Sequence, residues 1–526
     1  MAKKNGYLRR LFGKNIPGPV MYSIVFVCVL AVGGLGFGVY SLVPSSPRPA
    51  TACMDSGATD LQIEGPGKEC IGITDGSYPL DQSDSDLTQV ENLIETENHT
   101  ITQDHPTDYV SVVMLLPISG ENGSDMTLTT ALEQLRGAYT AQHYANNSNE
   151  NNAHGAFIQL LIGNDGYQAD QEQEAVDVIR QVQNTEHVVA VDGLGVSLDT
   201  TEAAAKSLTQ TTQDAQATQD QIPVFGSTIT SDDFDDVPDL VRVSPDNATE
   251  AAVALDYIAA HFTAAVFVKD INTDDTYDST LVTGFAKFGN LPGHSIVDPE
   301  PFDSTSRDAA QTPAAAAAAE AVVQTQISHM SDGVCTAQQG HPAVVLFTGR
   351  GDDLSAFISD MATRPCLDKP ITVITGDGAT NLTFDKNVKA GLLSGVTVYY
   401  AGVANPGEWS QITDPNAVNG YNVFTKAFTP TFGTVDLSDG NSVMAYDAML
   451  TSIKAIQLTD QPQPPSYAVA GEITALHGSN TVYGASGPIA FDADPTTDKT
   501  ASNPVDKPVP ILQLEPDGSS QFVQLF

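Results

Sequence analysis

The stretch VVAVDGLGVSLDTT, residues 188–201, joins an apolar run to a polar segment that starts a helix. Every position of Val188–Val191 is apolar, which predicts a strand that is buried on both faces. The loop Gly193–Thr201 then leads into a helical pattern, and its Ser, Asp and Thr residues are of the types that commonly start helices. A strand followed directly by a helix is the repeating unit of a parallel sheet in an α/β protein.

The same alternation continues from Asp108 towards the C-terminus. Further apolar runs, with helix-like segments between them, occur at Val110–Leu116, Phe157–Ile162, Pro223–Phe225, Ala264–Val268, Ala343–Phe347 and Ile371–Ile374. In one helix-like segment, Gln171–Gln183, the apolar residues recur with the helical period. The two series of strands and helices, divided near Pro245, predict an α/β fold of two doubly wound parallel-sheet lobes. A turn sequence between Val509–Leu514 and Gln521–Leu525 predicts a terminal hairpin.

The N-terminal segment is apolar and follows a basic tail. No charged residue occurs between Ile16 and Val43, and five Lys or Arg residues come before this segment. About 20 apolar residues cross a bilayer as a helix, and the basic flank stays in the cytoplasm. We therefore expect a protein of the cell membrane with an extracellular main domain. Before this domain we expect a cytoplasmic tail (1–18), a transmembrane helix (19–43), and a stalk with an N-terminal extension (44–107). A signal peptide cleaved after Ala52 and a lipoprotein site at Cys53 stay open as alternatives.

The charge and the cysteines restrict the partners and the compartment. The chain has 65 acidic and 23 basic residues, for a net charge of −42, so its main body repels nucleic acid and anionic lipid headgroups. The cysteines that follow the apolar segment are Cys53, Cys70, Cys335 and Cys366. An even number outside the cell favours two disulfides, and the pairs that are local in sequence, Cys53–Cys70 and Cys335–Cys366, are the expected ones among three connectivities.

Motifs of catalysis and of cofactor binding are absent from the sequence. It has no G-K-[ST] phosphate loop and no H-E-x-x-H zinc motif, and Leu198 stands where a dinucleotide loop needs its third glycine. Residues 270–274 begin like a calcium loop, D-x-N-x-D, but Asp275 replaces the required glycine and Leu281 the acidic twelfth residue. A weak cation contact at this loop stays open. We predict no catalytic residue, no metal site and no cofactor, and hence no enzyme.

Polar side chains follow the predicted strands at their carboxyl ends, where open α/β sheets bind ligands. The candidate ligand-binding residues are Asp199, Thr200, Thr228, Thr230, Tyr277 and Asp377. A hydroxyl-rich helix start with unpaired N–H groups suits a carboxylate, whereas Asp377 suits an ammonium group. Helix capping, a turn aspartate and the packing of a half-buried ring are the alternative explanations.

Six segments, in this order, carry a resemblance to a known superfamily: VSVVMLLPISG (110–120), IPVFGSTIT (222–230), RVSPDN (242–247), VVLFTGRGDDL (344–354), YDA (446–448) and YGASGPIAFD (483–492). Over residues 108–526 the chain resembles the type I periplasmic binding proteins, in particular receptors for branched-chain amino acids. The cysteine pair Cys335–Cys366 is similar to that of membrane-anchored actinobacterial versions. The resemblance implies two lobes joined by three crossovers, with lobe one at 108–244 and 404–480 and lobe two at 245–403 and 481–526.

The resemblance also implies a function and the roles of the candidate residues. Asp199, Thr200, Thr228 and Thr230 match the hydroxyl-rich ligand loops, and Tyr277 matches a tyrosine of the lobe-two loop. Asp377 matches an acid that binds the ligand amine, and we expect Asp199 to cap its helix through its side chain. Arg350 and Gly351 replace a ligand-facing aromatic residue, which leaves the identity of the ligand open.

We therefore expect an extracellular receptor that captures an amino acid or a similar small polar metabolite for an ABC-type importer. A sensor ectodomain that signals through a separate membrane partner is the main alternative, and an assembly or adhesion module is a third. Only about 18 residues precede the predicted transmembrane helix, too few for a signalling domain of their own.

Overall fold

The computed structural model describes residues 53–56, 58–65, 67–119, 126–148, 156–210, 220–307, 313–337, 343–492 and 502–526. All of these residues belong to one compact unit. The predicted basic tail, the predicted transmembrane helix and the start of the predicted stalk lie outside the described residues. None of the helices in the described ranges is long and apolar enough to span a bilayer.

Seventeen strands and thirteen α-helices form the described structure. The strands are β1 (Asp55–Ser56), β2 (Thr59–Glu64), β3 (Glu69–Thr74), β4 (Tyr109–Leu116), β5 (Phe157–Asn164), β6 (Val188–Gly193), β7 (Val224–Gly226), β8 (Leu240–Arg242), β9 (Ala264–Asp270), β10 (Ser295–Phe302), β11 (Ala343–Thr348), β12 (Ile371–Thr375), β13 (Val396–Ala401), β14 (Val482–Gly484), β15 (Gly487–Ile489), β16 (Pro510–Leu514) and β17 (Ser520–Leu525). The helices are α1 (Ser85–Asp104), α2 (Leu128–Asn147), α3 (Glu172–Val182), α4 (Asp199–Thr209), α5 (Asn247–Ala259), α6 (Thr276–Phe285), α7 (Pro313–Ile327), α8 (Met330–Ala337), α9 (Gly351–Met361), α10 (Lys386–Leu393), α11 (Pro415–Phe432), α12 (Asn441–Leu458) and α13 (Ser466–Glu472).

Two large mixed sheets organise the chain, and each defines a lobe. The first sheet has the order β1-β2-β3-β5-β4-β6-β7-β8, and we call it lobe one together with α1–α4, α11–α13 and the small β14–β15 hairpin. The second has the order β10-β9-β11-β12-β13-β16-β17, and it forms lobe two with α5–α10. The central strands of both sheets are parallel, as the sequence predicts, whereas β1–β3, β16 and β17 are antiparallel.

The central strands are apolar throughout because helices cover both faces of each sheet. In β4, Val112 and Met114 join the core that includes α1, α2 and α12, whereas Val113 and Leu115 join the core that includes α3 and α4. Helices on both sides remove the polar face that an exposed strand would need. The two-sided burial that the apolar runs predict is therefore confirmed.

Part of the predicted N-terminal extension is instead integral to lobe one. Strand β3 pairs with β5, and α1 buries apolar residues such as Leu87 and Ile94 in the core of this lobe. Cys53 and Cys70 form a disulfide that joins the start of the described chain to β3. Cys335 and Cys366 form the second disulfide in lobe two. Both cysteine pairs agree with the sequence-based expectation.

The chain crosses between the lobes three times, after β8, after β13 and after β15, which is the number that the resemblance implies. The last crossing differs from the predicted boundary at residue 481. Val482, Ile489 and Phe491 pack in the core of lobe one, and the backbone N–H groups of Ala485 and Ser486 donate to Asp447 of α12 at 2.5 and 2.8 Å. These contacts hold residues 482–491 in lobe one, so the chain enters lobe two only beyond them.

Candidate functional site

A small cavity lies between the lobes, at the carboxyl ends of their central strands. Its volume is about 30 Å³, with room for about two water molecules. It is lined by Met126, Thr130, Gly195, Val196, Ser197, Thr228, Thr230, Tyr277, Arg350, Asp377, Gly378, Thr380, Asn381, Val403 and Asn441. The loops after β6 and β7 and the start of α2 supply most of its wall in lobe one, and Asn441 at the start of α12 completes it; the loops after β9, β11 and β12 supply its wall in lobe two. This is the place where open α/β sheets bind ligands.

Ser197, rather than Asp199 or Thr200, brings the first loop to the cavity. Asp199 and Thr200 are exposed and do not line it. Helix α4 begins at Asp199, and its N-cap residue is Leu198, without a side-chain cap hydrogen bond. The prediction that Asp199 caps the helix through its side chain is therefore wrong, because Asp199 is already the first residue of the helix and Leu198 is the N-cap.

The loop after β6 turns sharply to place Ser197. Three successive residues, Gly193, Leu194 and Gly195, have positive φ angles of 97°, 66° and 60°. A Cβ atom at Gly193 would come within 2.8 Å of the carbonyl oxygen of Leu115, so this position needs glycine for space as well as for conformation. The side chain of Ser197 is buried and accepts hydrogen bonds from the backbone N–H groups of Thr230 at 3.0 Å and Ser231 at 3.3 Å.

Thr228 and Thr230 bring the second loop to the same cavity, as predicted. The hydroxyl of Thr228 donates to the carbonyl oxygen of Gly195 at 3.1 Å and accepts from the amide of Gln134 at 3.2 Å. Thr230 is buried and lines the cavity, and its side chain favours the ionised form of Asp377 in the opposite lobe. Two of the predicted residues, one from each lobe, therefore line the same cavity.

Tyr277 and Asp377 form the lobe-two side of the cavity. The hydroxyl oxygen of Tyr277 accepts a hydrogen bond from the backbone N–H of Gly378 at 2.8 Å, and its ring is buried. The backbone N–H of Asp377 donates to Glu250 at 3.0 Å, whereas Oδ1 of Asp377 has no hydrogen-bond partner among the described residues. Burial raises the pKa of Asp377 to about 6, against the opposing effects of the charge of Arg350 and of hydrogen bonds from Tyr277 and Thr230.

Arg350 is the cationic group of the site, and the candidate residues from sequence did not include it. Its Nε and Nη2 atoms contact the two carboxylate oxygens of Asp275 at 2.7 and 2.8 Å. Nη2 also donates to the carbonyl oxygen of Ser197 in lobe one at 2.8 Å, and the guanidinium carbon lies 4.8 Å from the ring centre of Tyr277. The cavity therefore contains a fixed cation and a carboxyl group.

Further hydrogen bonds connect the lobes around the cavity. The hydroxyl of Thr130 donates to the amide oxygen of Asn381 at 3.1 Å, and the backbone N–H of Asp199 donates to the carbonyl oxygen of Asp274 at 3.3 Å. These contacts explain why the enclosed space is so small. A solute of the size of an amino acid needs the lobes to separate before it can enter, the hinge motion of two-lobed proteins.

Neither the models of known protein families nor the sequences of curated proteins match this chain. Solved structures do match it. The leucine-binding protein LivK from Thermotoga maritima aligns with a TM-score of 0.53 and 16% identity, over 79% of this chain and 98% of that one. The substrate-binding protein LivJ from Streptococcus pneumoniae, in complex with isoleucine, aligns with a TM-score of 0.52 and 15% identity, over 79% and 99%.

A third similar structure holds a different class of ligand. It is a solute-binding protein of an ABC transporter from Rhodopseudomonas palustris in complex with p-hydroxybenzoic acid, with a TM-score of 0.54 and 15% identity, over 80% of this chain and 97% of that one. At such identities the likeness concerns the fold alone. The two mixed sheets, the three crossings and the cavity between the lobes agree with it. The chain has the type I periplasmic binding protein fold.

Proposed function

We propose that this protein is a receptor that captures a small solute between its lobes and delivers it to an ABC-type importer. The observation that carries the proposal is that a cation, Arg350, and a carboxyl group, Asp377, line the same cavity between the lobes. A buried carboxyl oxygen without a hydrogen-bond partner is unfavourable, and the amine of a ligand would pair with Asp377 while the ligand's carboxylate contacts Arg350. The function is binding rather than catalysis, in keeping with the solute-binding proteins that share the fold.

The ligand class follows from the polarity of the two walls. Asp377, with an oxygen that lacks a hydrogen-bond partner among the described residues, suits the amine of an amino acid. Arg350 and the hydroxyls of Thr228 and Thr230 suit its carboxylate. The amine thus contacts lobe two, whereas the carboxylate bridges both lobes. An amino acid, or a similar small polar metabolite with both groups, is the proposed ligand.

The proposal extends to the location of the protein. We infer from the sequence that residues 19–43 cross the cell membrane and that the lobes lie outside the cell. A receptor held at the membrane stays near the permease to which it delivers its solute. The support for this part is the uncharged apolar segment and the basic tail before it.

A thermal-shift screen tests the proposal. The purified chain is heated with each of the amino acids, with p-hydroxybenzoate, and with sugars as a control class. A ligand present at 100 times its dissociation constant stabilises the folded protein by about 2.7 kcal/mol, which is readily detected as a rise in Tm. Stabilisation by an amino acid supports the proposal. Stabilisation by p-hydroxybenzoate alone would show that the ligand is a carboxylate without an amine. The absence of any response would contradict the receptor function.

A further inference from the structure

Three aspartates converge in lobe two, beneath the loop that carries Arg350. Asp270 ends β9, Asp278 lies in the first turn of α6, and Asp353 lies in the first turn of α9. All three are buried, and one carboxylate oxygen of each lies within 4.8 Å of those of the other two. Two oxygens on opposite sides of a bound Ca²⁺ are about 5 Å apart, so one ion in their midst can reach all three.

Two of the three side chains have structural roles that leave part of their binding capacity unused. Asp270 accepts from the backbone N–H groups of Asn272 and Ser304 through Oδ1, whereas its Oδ2 has no hydrogen-bond partner in the described part of the chain. Asp353 accepts from the backbone N–H of Arg350 and from two nitrogens of Arg307. A carboxylate offers about four acceptor positions, so Asp353 retains about one.

Asp278 has no such structural role, and it is the observation that points to a ligand. Its side chain is fully buried, and neither carboxylate oxygen has a hydrogen-bond partner within the described ranges. A buried carboxylate without partners is strongly unfavourable. An incoming cation would contact Asp278 directly, with both of its oxygens available.

The balance of charge around Asp278 leaves a deficit of positive charge. Arg350 pairs with Asp275, and Arg307 pairs with Asp353, so neither Asp270 nor Asp278 has a cationic partner among the described residues. Arg307 also pairs with Glu320, and this second pair weakens the electrostatic attraction between Arg307 and Asp353. One divalent cation would supply a positive partner to both Asp270 and Asp278.

We propose that Asp270, Asp278 and Asp353 form a binding site for a hard divalent cation, Ca²⁺, in lobe two. All the donors are carboxylate oxygens, which select calcium-like ions over zinc or copper, since those ions prefer nitrogen and sulfur ligands. Ca²⁺ accepts irregular sets of oxygen ligands, whereas Mg²⁺ needs near-ideal octahedral geometry, so three carboxylates from separate elements favour Ca²⁺. The site is separate from the solute cavity, and Asp275, which contacts Arg350, lies three residues before Asp278.

The test uses the full chain after treatment with a chelator and desalting. Calorimetric titration with Ca²⁺ in about 150 mM NaCl, which screens the acidic surface, is expected to show one saturable site per chain. Ca²⁺ at 100 times its dissociation constant should raise Tm by about 3 °C. The absence of a saturable site would overturn the proposal, and a stronger response to Mg²⁺ than to Ca²⁺ would overturn the choice of ion.

Two matched variants assign the site to these residues. Asp278→Asn keeps the shape of the side chain and should abolish the Ca²⁺-dependent rise in Tm. Without the ion this variant should be more stable than the parent, because the folded parent must bury an ionisable carboxyl group that the unfolded chain exposes to water. Asp274→Asn, at an exposed position of the same loop, should keep the full response. An unchanged response in Asp278→Asn would refute the assignment, as would a lower stability of this variant than of the ion-free parent. If Asp278→Asn does not fold, Asp270→Asn replaces it in the same titration, and an unchanged response there refutes the site.

Discussion

Arg350 contacts Asp275 through two nitrogens, at 2.7 and 2.8 Å, and the same guanidinium reaches a carbonyl oxygen of the opposite lobe. Both side chains are mostly buried, with exposed fractions of 13% and 8%. A bidentate pair in this setting fixes the plane of the guanidinium. The position of the site's cation is therefore set by a residue that does not itself line the cavity.

Arg350→Met is expected to destabilise the protein by roughly 2–3 kcal/mol, because it leaves Asp275 buried without its cation. Urea denaturation measures the change in the free energy of unfolding. Adding Asp275→Asn to this variant should restore part of the loss, since the unpaired charge is then gone. As a control, Arg136→Met breaks a pair with the exposed Asp86 and should cost less than about 1 kcal/mol. Equal losses of stability in Arg350→Met and Arg136→Met would show that the buried Arg350–Asp275 pair stabilises the protein no more than the exposed pair does.

Asp377→Asn should weaken the binding of an amino acid about ten- to a hundredfold. The substitution keeps the shape of the side chain and removes the charge that pairs with the amine, a loss of roughly 1.5–3 kcal/mol. Calorimetry with the best-binding amino acid measures it. Asp256→Asn, at an exposed position on α5, should bind as the parent does. If Asp377→Asn also binds as tightly as the parent, the amine does not contact Asp377, and Arg350 becomes the main contact of a purely acidic ligand.

The raised pKa of Asp377 has a consequence for the ligand-free protein. Because burial raises this pKa to about 6 from an ordinary value near 3.8, the folded state holds its proton more tightly than the unfolded state does. The contribution of Asp377 to stability is thus fully present below about pH 3.8 and is lost as the pH rises through about 6. The stability of the parent relative to Asp377→Asn should therefore fall between pH 4 and pH 7 in denaturation experiments. A difference that stays constant over this interval would contradict the perturbed pKa.

The sheets were predictable from sequence because their physical cause is local. The apolar runs of β4, β6 and β11 reflect strands with helices on both faces, and no distant partner is needed to recognise them. The edge strands were harder. β2 and β3 follow a polar segment, and their place in the sheet depends on the pairing of β3 with β5, about ninety residues away. Such pairing leaves no signal in one sequence.

The site was predictable only as far as strand ends reveal it. Thr228, Thr230, Tyr277 and Asp377 were found because each follows a strand or its loop, and the structure places all four around one cavity. Asp199 and Thr200 were predicted to contact the ligand, but α4 already begins at Asp199, so the residue of this loop that lines the cavity is Ser197, two residues earlier. Arg350 was noted as a departure from the family pattern and as the contact of a purely acidic ligand. Its pairing with Asp275 was not predicted, because Asp275 lies 75 residues earlier in the chain.

The membrane anchor stays a prediction, and it has a direct test. If residues 19–43 span the bilayer uncleaved, the protein should sediment with membranes, resist extraction by high salt, and keep its original N-terminus. Protease added to intact cells should remove the lobes and leave a short membrane fragment. N-terminal sequencing of the membrane fraction decides between the forms, because a mature chain that begins at Cys53 or nearby would show that the segment is a cleaved signal.

Ser197→Ala tests the role of the residue that replaces Asp199 in the site. The Ser197 hydroxyl oxygen accepts from the N–H groups of Thr230 and Ser231, so alanine leaves two buried donors without this acceptor. We expect a loss of about 1–3 kcal/mol in the free energy of unfolding. Solute affinity should fall as well, because Thr230, which reaches Asp377 across the lobes, loses its support. Ser410→Ala removes an exposed hydroxyl and serves as the control, with little change expected in either quantity. Should Ser197→Ala lose stability but bind the solute as tightly as the parent, Ser197 supports the loop without setting the position of Thr230 for the ligand.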